Sequence, residues 1–497
     1  MRTDAELPER YRSILASLGL ILAPCGFILI SPLVVLPWCP DEAKHVSAFL
    51  LPGLLLALGG LALWRLFHAR RGPVLSIQDG GVVVLLSWVV VTVVSAVPLM
   101  ITLDLHFTQA FFESISGWTT TGLSVVDVEK APRVILLWRS IMQLAGGAGM
   151  AIILVTLAGG PLGPGVAVAE GRSDQLVPHV RRSARLVLTI YAGYAASCTV
   201  ALAIAGMSWF DAANHAFAAV STGGFSTRAP SLAYWDSPWI EAITIVYMLL
   251  GSTNFQIGHL LLRGRFRDVW RNGEVKTVGL LMALFIPVVV IFATGAIYVG
   301  FGRQVRVALF EVVTAITTTG FTTSAGAIYR GWPRMGIFLL IPLMIIGGGT
   351  GSTAGGIKQH RAYLLACAVW WELRRLCLPG RTVIDTSIWR GDELVWVSDR
   401  GVVQAATFVV AYMMIYAVGV GVLIACGSGL QESLFEYASS LGTVGLSVGV
   451  TSASAPAAVL WAEIVGMFLG RLEIFIVFIA LRKLLADGAA LLRGVRR

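Results

Sequence analysis

Four stretches of this sequence align without gaps: FFESISGWTTTGLS (111–124), ANHAFAAVSTGGFS (213–226), LFEVVTAITTTGFT (309–322) and LFEYASSLGTVGLS (434–447). They lie about 100 to 125 residues apart. Each has a glycine in the same column, Gly122, Gly224, Gly320 and Gly445. Two residues earlier stands a threonine every time, Thr120, Thr222, Thr318 and Thr443, and nine residues earlier stands Glu113, His215, Glu311 or Glu436. A fixed internal period decides architecture before any local motif does. The chain is therefore read as four copies of one unit.

Each unit holds a long apolar run, a short one, the glycine motif and a second long run. Runs able to span a bilayer, about 20 residues each, lie near 13–37, 46–66, 81–103, 134–158, 184–207, 238–262, 277–300, 402–426 and 457–481, with one more near 335–375 broken by glycines. The short segments 108–121, 209–223, 306–319 and 431–444 cannot span and read as re-entrant half-helices. The expected fold is an all-α membrane protein of ten spans and four re-entrant pore helices. Four pseudo-symmetric helix–pore-helix–filter–helix repeats surround one pore, preceded by two extra N-terminal transmembrane helices. The expected boundaries are a two-helix extension at 1–70, repeats at 76–165, 180–265, 273–376 and 400–485, a cytoplasmic linker at 377–399 and a basic tail at 486–497.

Composition agrees with that reading. Only 13% of the residues are charged, about half the share of a soluble domain, which sets aside a soluble enzyme. With a cytoplasmic N-terminus, the inside segments hold 27 of the 37 Lys and Arg residues, as the positive-inside rule expects. Both termini are then cytoplasmic. The +9 net charge belongs to those loops and not to nucleic-acid binding. The outer segments carry acids, among them Asp104, Glu129, Asp211, Asp236 and Glu432, and would concentrate cations. The polar start and the long first run read against a secretory signal peptide. The six cysteines form no CxxC and the seven histidines no HExxH or HxxxH, so neither a metal centre nor a disulfide framework is expected. No nucleotide-binding glycine motif is present, and no bound cofactor is expected.

A cation leaving water needs oxygen ligands, and pore filters supply them as rings of backbone carbonyls. Glycine permits the left-handed torsions that aim successive carbonyls at one axis. The filter candidates are Thr120, Thr121 and Gly122; Thr222, Gly223 and Gly224; Thr318, Thr319 and Gly320; and Thr443, Val444 and Gly445. The bland alternative, glycine packing between helices, suits Gly59 or Gly279 but does not explain four motifs in register. For Glu113, Glu311 and Glu436, capping in the first turn of a helix is favoured over ion binding.

A second glycine cluster interrupts the third inner helix, where Gly347, Gly348, Gly349, Gly351, Gly355 and Gly356 fall within ten residues. At about 1 kcal/mol lost per glycine, this is no stable helix interior. It reads as an intramembrane loop that gates the pore, with a loose kink as the alternative. Lys358 closes the motif, as a loop anchor or a snorkelling side chain. Arg471, deep in the last run, is the intramembrane charge that most needs a partner; Glu473, Asn254 and Arg139 are assigned less, the last two to packing or the interface.

On these filters, on IGGGTGSTAGGIK (346–358) and on FLGRLEIF (468–475), the chain resembles the potassium transporters that include TrkH, TrkG and KtrB. The resemblance covers roughly residues 80–485, and the two extra N-terminal spans look like the TrkH branch. It implies potassium uptake across a bacterial inner membrane, by symport or down the gradient, with K+ held at the ring glycines. It implies a homodimer with one pore per subunit and a cytoplasmic nucleotide-binding regulatory partner of TrkA or KtrA type, docking on basic loops such as 263–276 and 374–400. It also implies that the arginine matching Arg471 lies below the filter beside the loop. Sodium-conducting plant relatives often carry serine at the first ring position, where this chain has Gly122. Gly223, Gly442 and Val444 depart from the pattern of the other repeats. The alternatives are a sodium or poorly selective monovalent cation pathway of the same fold, a membrane transferase, for which no acid cluster is seen, and an inverted-repeat transporter, for which the repeats run in the wrong sense.

Overall fold

The computed structural model describes residues 7–68, 75–149, 180–324, 329–379, 382, 385–390 and 393–494. Among the described residues it is helical apart from one hairpin, β1 (Ser387–Arg390) with β2 (Glu393–Trp396). The chain opens with α1 (Leu7–Ile30), α2 (Val46–Phe67) and α3 (Ile77–Leu103), then the short α4 (Phe107–Trp118) and α5 (Arg133–Ala148). Next come α6 (Val180–Ile204), the short α7 (Trp209–Val220), α8 (Pro238–Ser252), α9 (Phe255–Leu262) and α10 (Phe266–Arg271). The third unit is α11 (Gly273–Val289), α12 (Phe301–Ile316), α13 (Arg334–Ile346) and α14 (Gln359–Cys377). The last is α15 (Asp399–Ala425), α16 (Leu430–Leu441), α17 (Ala457–Arg471) and α18 (Ile474–Gly494).

Each of the ten expected apolar runs contains a helix. Six of these, among the described residues, are long and apolar enough to cross a membrane, and two bent pairs raise the number to eight. The remaining runs hold α5, whose continuation at 150–158 lies outside the described residues, and α13, which stops at the glycine loop.

Two runs expected as continuous spans are bent. Between α8 and α9 the direction changes by 118°, and between α17 and α18 by 103°. At the first bend Thr253 and Asn254 are both extended, and the Asn254 side chain accepts from Gln256 N–H at 2.9 Å, capping a new helix. At the second, Glu473 takes a left-handed φ of +59°, which no helix can continue through.

The first two helices pack through small residues. A Cβ added to Gly19 or Gly26 on α1 would run into the carbonyl of Gly60 or Gly53 on α2, and one on Gly60 into Gly19. This is the close backbone approach that membrane helices use in place of a hydrophobic drive. The expected packing glycines, Gly59 and Gly279, instead face open space; Gly60, one residue on, occupies the α1 face.

Apolar packing follows the repeats. Trp88, Trp118 and Trp138 lie in a cluster joining α1–α5. Ile190, Ala216 and Met248 join α6, α7 and α8. Ile337, Phe408 and Phe435 belong to a cluster spanning the third and fourth units.

Candidate functional site

The four short helices α4, α7, α12 and α16 end alike. After each comes a threonine in the left-handed region, with φ of +56°, +53°, +52° and +51° at Thr120, Thr222, Thr318 and Thr443. The next N–H closes back on the helix: Thr121 to Ser116 O, Gly223 to Ala218 O, Thr319 to Thr314 O and Val444 to Ser439 O, at 2.8 to 3.0 Å. This is a Schellman-type turn, whose left-handed position is usually glycine. A threonine there costs about 1–2 kcal/mol, so the fold holds four strained residues at one level. The ring glycine follows at φ +72° to +95°.

The four glycines meet in a cycle. A Cβ on Gly122 would run into the carbonyl oxygen of Gly223, one on Gly224 into Thr319 O, one on Gly320 into Val444 O and one on Gly445 into Thr121 O. Each glycine touches the next repeat in the same rotational sense, and the fourth closes on the first. A side chain at any of these positions is strained in torsion and requires the neighbouring segment to shift. The threonines before them are fully buried. The hydroxyls of Thr120 and Thr443 have no hydrogen-bond partner among the described residues.

The residue nine before each ring glycine does not cap its helix. Glu113, Glu311 and Glu436 lie in the middle or second half of α4, α12 and α16, fully buried. Each carboxylate grips the chain just beyond the ring. Glu113 accepts from Ser124 Oγ and Val125 N, both at 3.0 Å. Glu311 accepts from Thr322 Oγ1 and Thr323 N at 2.8 Å and from the Tyr329 hydroxyl. Glu436 accepts from Ser447 Oγ at 2.6 Å and from Val448 N and Thr451 N at 2.9 Å. The capping expectation fails because these helices begin earlier than the motif suggests. In the second repeat, His215 Nδ1 donates to Asp211 O, and Nε2 faces Ser226 Oγ, both at 2.8 Å.

Arg139, assigned to packing or the interface by sequence, is part of this clamp. Its Nε donates to Glu113 at 2.6 Å and its Nη2 to Ser124 Oγ at 2.9 Å. Its Nη1 reaches Ser226 O of the second repeat at 3.2 Å, and the guanidinium lies 3.9 Å from the Phe225 ring centroid. The arginine is 2% exposed and Glu113 is fully enclosed. Such a pair is costly to break from one side.

The glycine loop lies against the threonines. Gly355 N donates to Thr318 Oγ1 at 2.8 Å, and Thr353 Oγ1 is 3.0 Å from Thr222 Oγ1. A Cβ on Gly355 would run into Thr443 Oγ1. The break after α8 frees carbonyls that the loop uses: Gly349 N donates to Ser252 O at 2.8 Å, and Thr353 Oγ1 to Gly251 O at 2.9 Å. From the side, Glu274 at the start of α11 accepts from Thr350 N at 3.0 Å. Gly347 and Gly348 are spanned by Gln359, whose side chain and N–H donate to their carbonyls at 2.9 Å. Gly351 and Gly356 take φ of +70° and +78°. Lys358 donates through Nζ to Ala354 O inside the loop, so it anchors the loop to itself.

Arg471 stands at the end of α17, at the bend, and not within a continuous helix. It donates to Thr353 O at 2.5 Å and to Gly146 O at 2.6 Å. One guanidinium thus ties the loop to the end of α5. Glu473 turns away and pairs with Arg361 at 2.8 Å. Among the described residues, no group of three or more His, Cys, Asp and Glu is able to hold a metal ion. What the arrangement offers an ion is a ring of carbonyls and hydroxyls.

Residues 45–491 match the family model of the TrkH cation transport proteins. The chain is 32% identical to the Trk system potassium uptake protein TrkH of Halomonas elongata, over 94% of this chain and 98% of the relative. It is 30% identical to TrkH of Escherichia coli K12, over 94% and 97%. The crystal structure of the potassium transporter TrkH from Vibrio parahaemolyticus superposes with a TM-score of 0.80 at 30% identity, covering 94% of this chain and 98% of that one.

Proposed function

The chain belongs to the TrkH family of cation transport proteins, transporters and not enzymes, and we propose that it carries potassium across the bacterial inner membrane as the translocating subunit of a Trk-type system. The cycle of four ring glycines is the observation that carries this reading. Carbonyls of successive motif residues, and the partnerless hydroxyls of Thr120 and Thr443, would replace the hydration shell of a monovalent cation. The ends of four short helices turn their negative dipoles toward the same region.

The loop at 347–358 is the gate. It meets three of the four threonines and is held by hydrogen bonds to backbone carbonyls and by Arg471. A cation passing the ring must displace it, and the arginine's charge opposes the ion until loop and arginine move together. The protein works as a homodimer in the bilayer with both termini cytoplasmic, and a nucleotide-binding partner of TrkA or KtrA type sets the gate. Gly122, in place of the serine of sodium-conducting relatives, favours potassium over the sodium or poorly selective alternative.

Rubidium and sodium uptake by the purified protein in vesicles tests the reading. Gly122→Ser lowers the rubidium-to-sodium ratio, and Arg471→Ala raises the flux of both ions without changing the ratio. An unaltered ratio in the serine variant removes the filter assignment. An unaltered flux in the alanine variant removes the gate.

A further inference from the structure

At one position the four ring segments are built differently. The residue just before each ring glycine is Thr121, Gly223, Thr319 and Val444, and its carbonyl is the one the preceding repeat's glycine touches. In the first and third repeats the threonine side chain turns back to a threonine two residues earlier. Thr119 and Thr121 are joined at 2.8 Å, as are Thr317 and Thr319. In the fourth, Val444 packs among apolar side chains. In the second there is no side chain at all.

The vacated volume is filled from another repeat. Gln143, fully buried on α5 of the first repeat, reaches behind the second segment. Its Nε2 donates to Gly223 O at 2.5 Å, and its Oε1 accepts from Phe225 N at 3.1 Å. A Cβ on Gly223 would run into the Gln143 carboxamide, so the glycine and the glutamine need each other. Among the described residues no side-chain donor reaches the carbonyl of Thr121, Thr319 or Val444. One carbonyl of the four is therefore shared with an amide, and three are not.

We propose that Gln143 is a selectivity-determining positioning residue: by donating to Gly223 O it weakens and fixes one of the four carbonyls that an ion meets. The proposal rests on the filter reading above. A carbonyl that already accepts an N–H offers a cation less field, and the number and strength of the carbonyl dipoles are one account of how such rings discriminate potassium from sodium. A weaker ring penalises sodium more, because sodium gives up a tighter hydration shell. The hydrogen bond to Phe225 N locks the carboxamide so that its amino group, and not its oxygen, faces the ring.

The test measures rubidium and sodium uptake by the full-length protein in vesicles. Gln143→Met keeps length and bulk but removes the donor, and the rubidium-to-sodium ratio falls roughly threefold to tenfold, the scale of one net hydrogen bond. The triple variant Ser221→Thr, Gly223→Thr, Gln143→Ala rebuilds the packing of the first and third repeats without a donor to that carbonyl. Its ratio stays low, as in Gln143→Met. A triple variant with the wild-type ratio overturns the proposal, since Gln143 would then be only a filler. So does an unchanged ratio in Gln143→Met when Gly122→Ser has shifted it, and the filter reading then survives. If Gly122→Ser also leaves the ratio unchanged, the filter reading itself has failed.

Discussion

The second repeat is supported differently from the other three. In the first, third and fourth, a carboxylate on the short helix grips the chain beyond the ring, and a hydroxyl on the same helix accepts from the ring glycine. Gly122 N donates to Ser116 Oγ, Gly320 N to Thr314 Oγ1 and Gly445 N to Ser439 Oγ, at 3.0 to 3.1 Å. The second repeat has alanine at that place, Ala218, and histidine in place of the acid. Its own His215 and Asp211 hold Ser226 and Thr227, at 2.8 and 2.6 Å, and α5 of the first repeat adds two further supports. Arg139 and Gln143, one helical turn apart, reach Ser226 O and Gly223 O respectively. The second repeat is thus braced by its own short helix and by its neighbour together. A defect in α5 is then felt in two repeats.

The sharpest way to break this comparison is Arg139→Met. It strands a fully buried Glu113 and frees Ser226 O, for an expected loss of about 3–5 kcal/mol. The melting temperature of the detergent-purified protein reports it. Adding Glu113→Gln recovers part of the loss, because the stranded charge is gone. A melting temperature close to wild type in the single variant would show that α5 braces nothing.

A smaller effect separates the two kinds of clamp. Glu436→Gln removes the charge from three donated hydrogen bonds and costs about 1.5–3 kcal/mol, while His215→Gln exchanges one neutral partner for another and costs about 1 kcal/mol. Equal losses in the two variants would erase the distinction between carboxylate and imidazole repeats. The smallest change, Ser116→Ala, gives the first repeat the alanine of the second. It removes the hydrogen bonds to Gly122 N and Leu123 O while Ser116 O still holds Thr121 N, and costs about 1 kcal/mol, seen as a small drop in melting temperature.

The ring was legible in sequence because two demands fall on one residue. A left-handed torsion and a carbonyl in the place of a side chain favour glycine, four times over. The short helices were legible as apolar segments too short to span, although Phe301–Ile316 begins five residues before its expected start. The supports were harder to read. Arg139 and Gln143 sit in RVILLWRSIMQLAGGA, and their four-residue spacing on an apolar helix was a usable signal of a shared polar face. Nothing local says that the face points into another repeat. The acids were misplaced because a motif column does not show where its helix begins. The bends after Ser252 and Arg471 were hidden by hydropathy, which stays high across both breaks, while the local torsions at Thr253–Asn254 and Glu473 decide the direction.

That four motifs occupy one polypeptide has an evolutionary consequence. In a ring assembled from identical subunits, any substitution is made four times at once. Here a single codon alters one quarter of the circumference and leaves three quarters intact. Gly223 beside Gln143 has the form of such a quarter-step, a local exchange of one side chain for another reaching in from outside. A ring built this way can change its lining one repeat at a time.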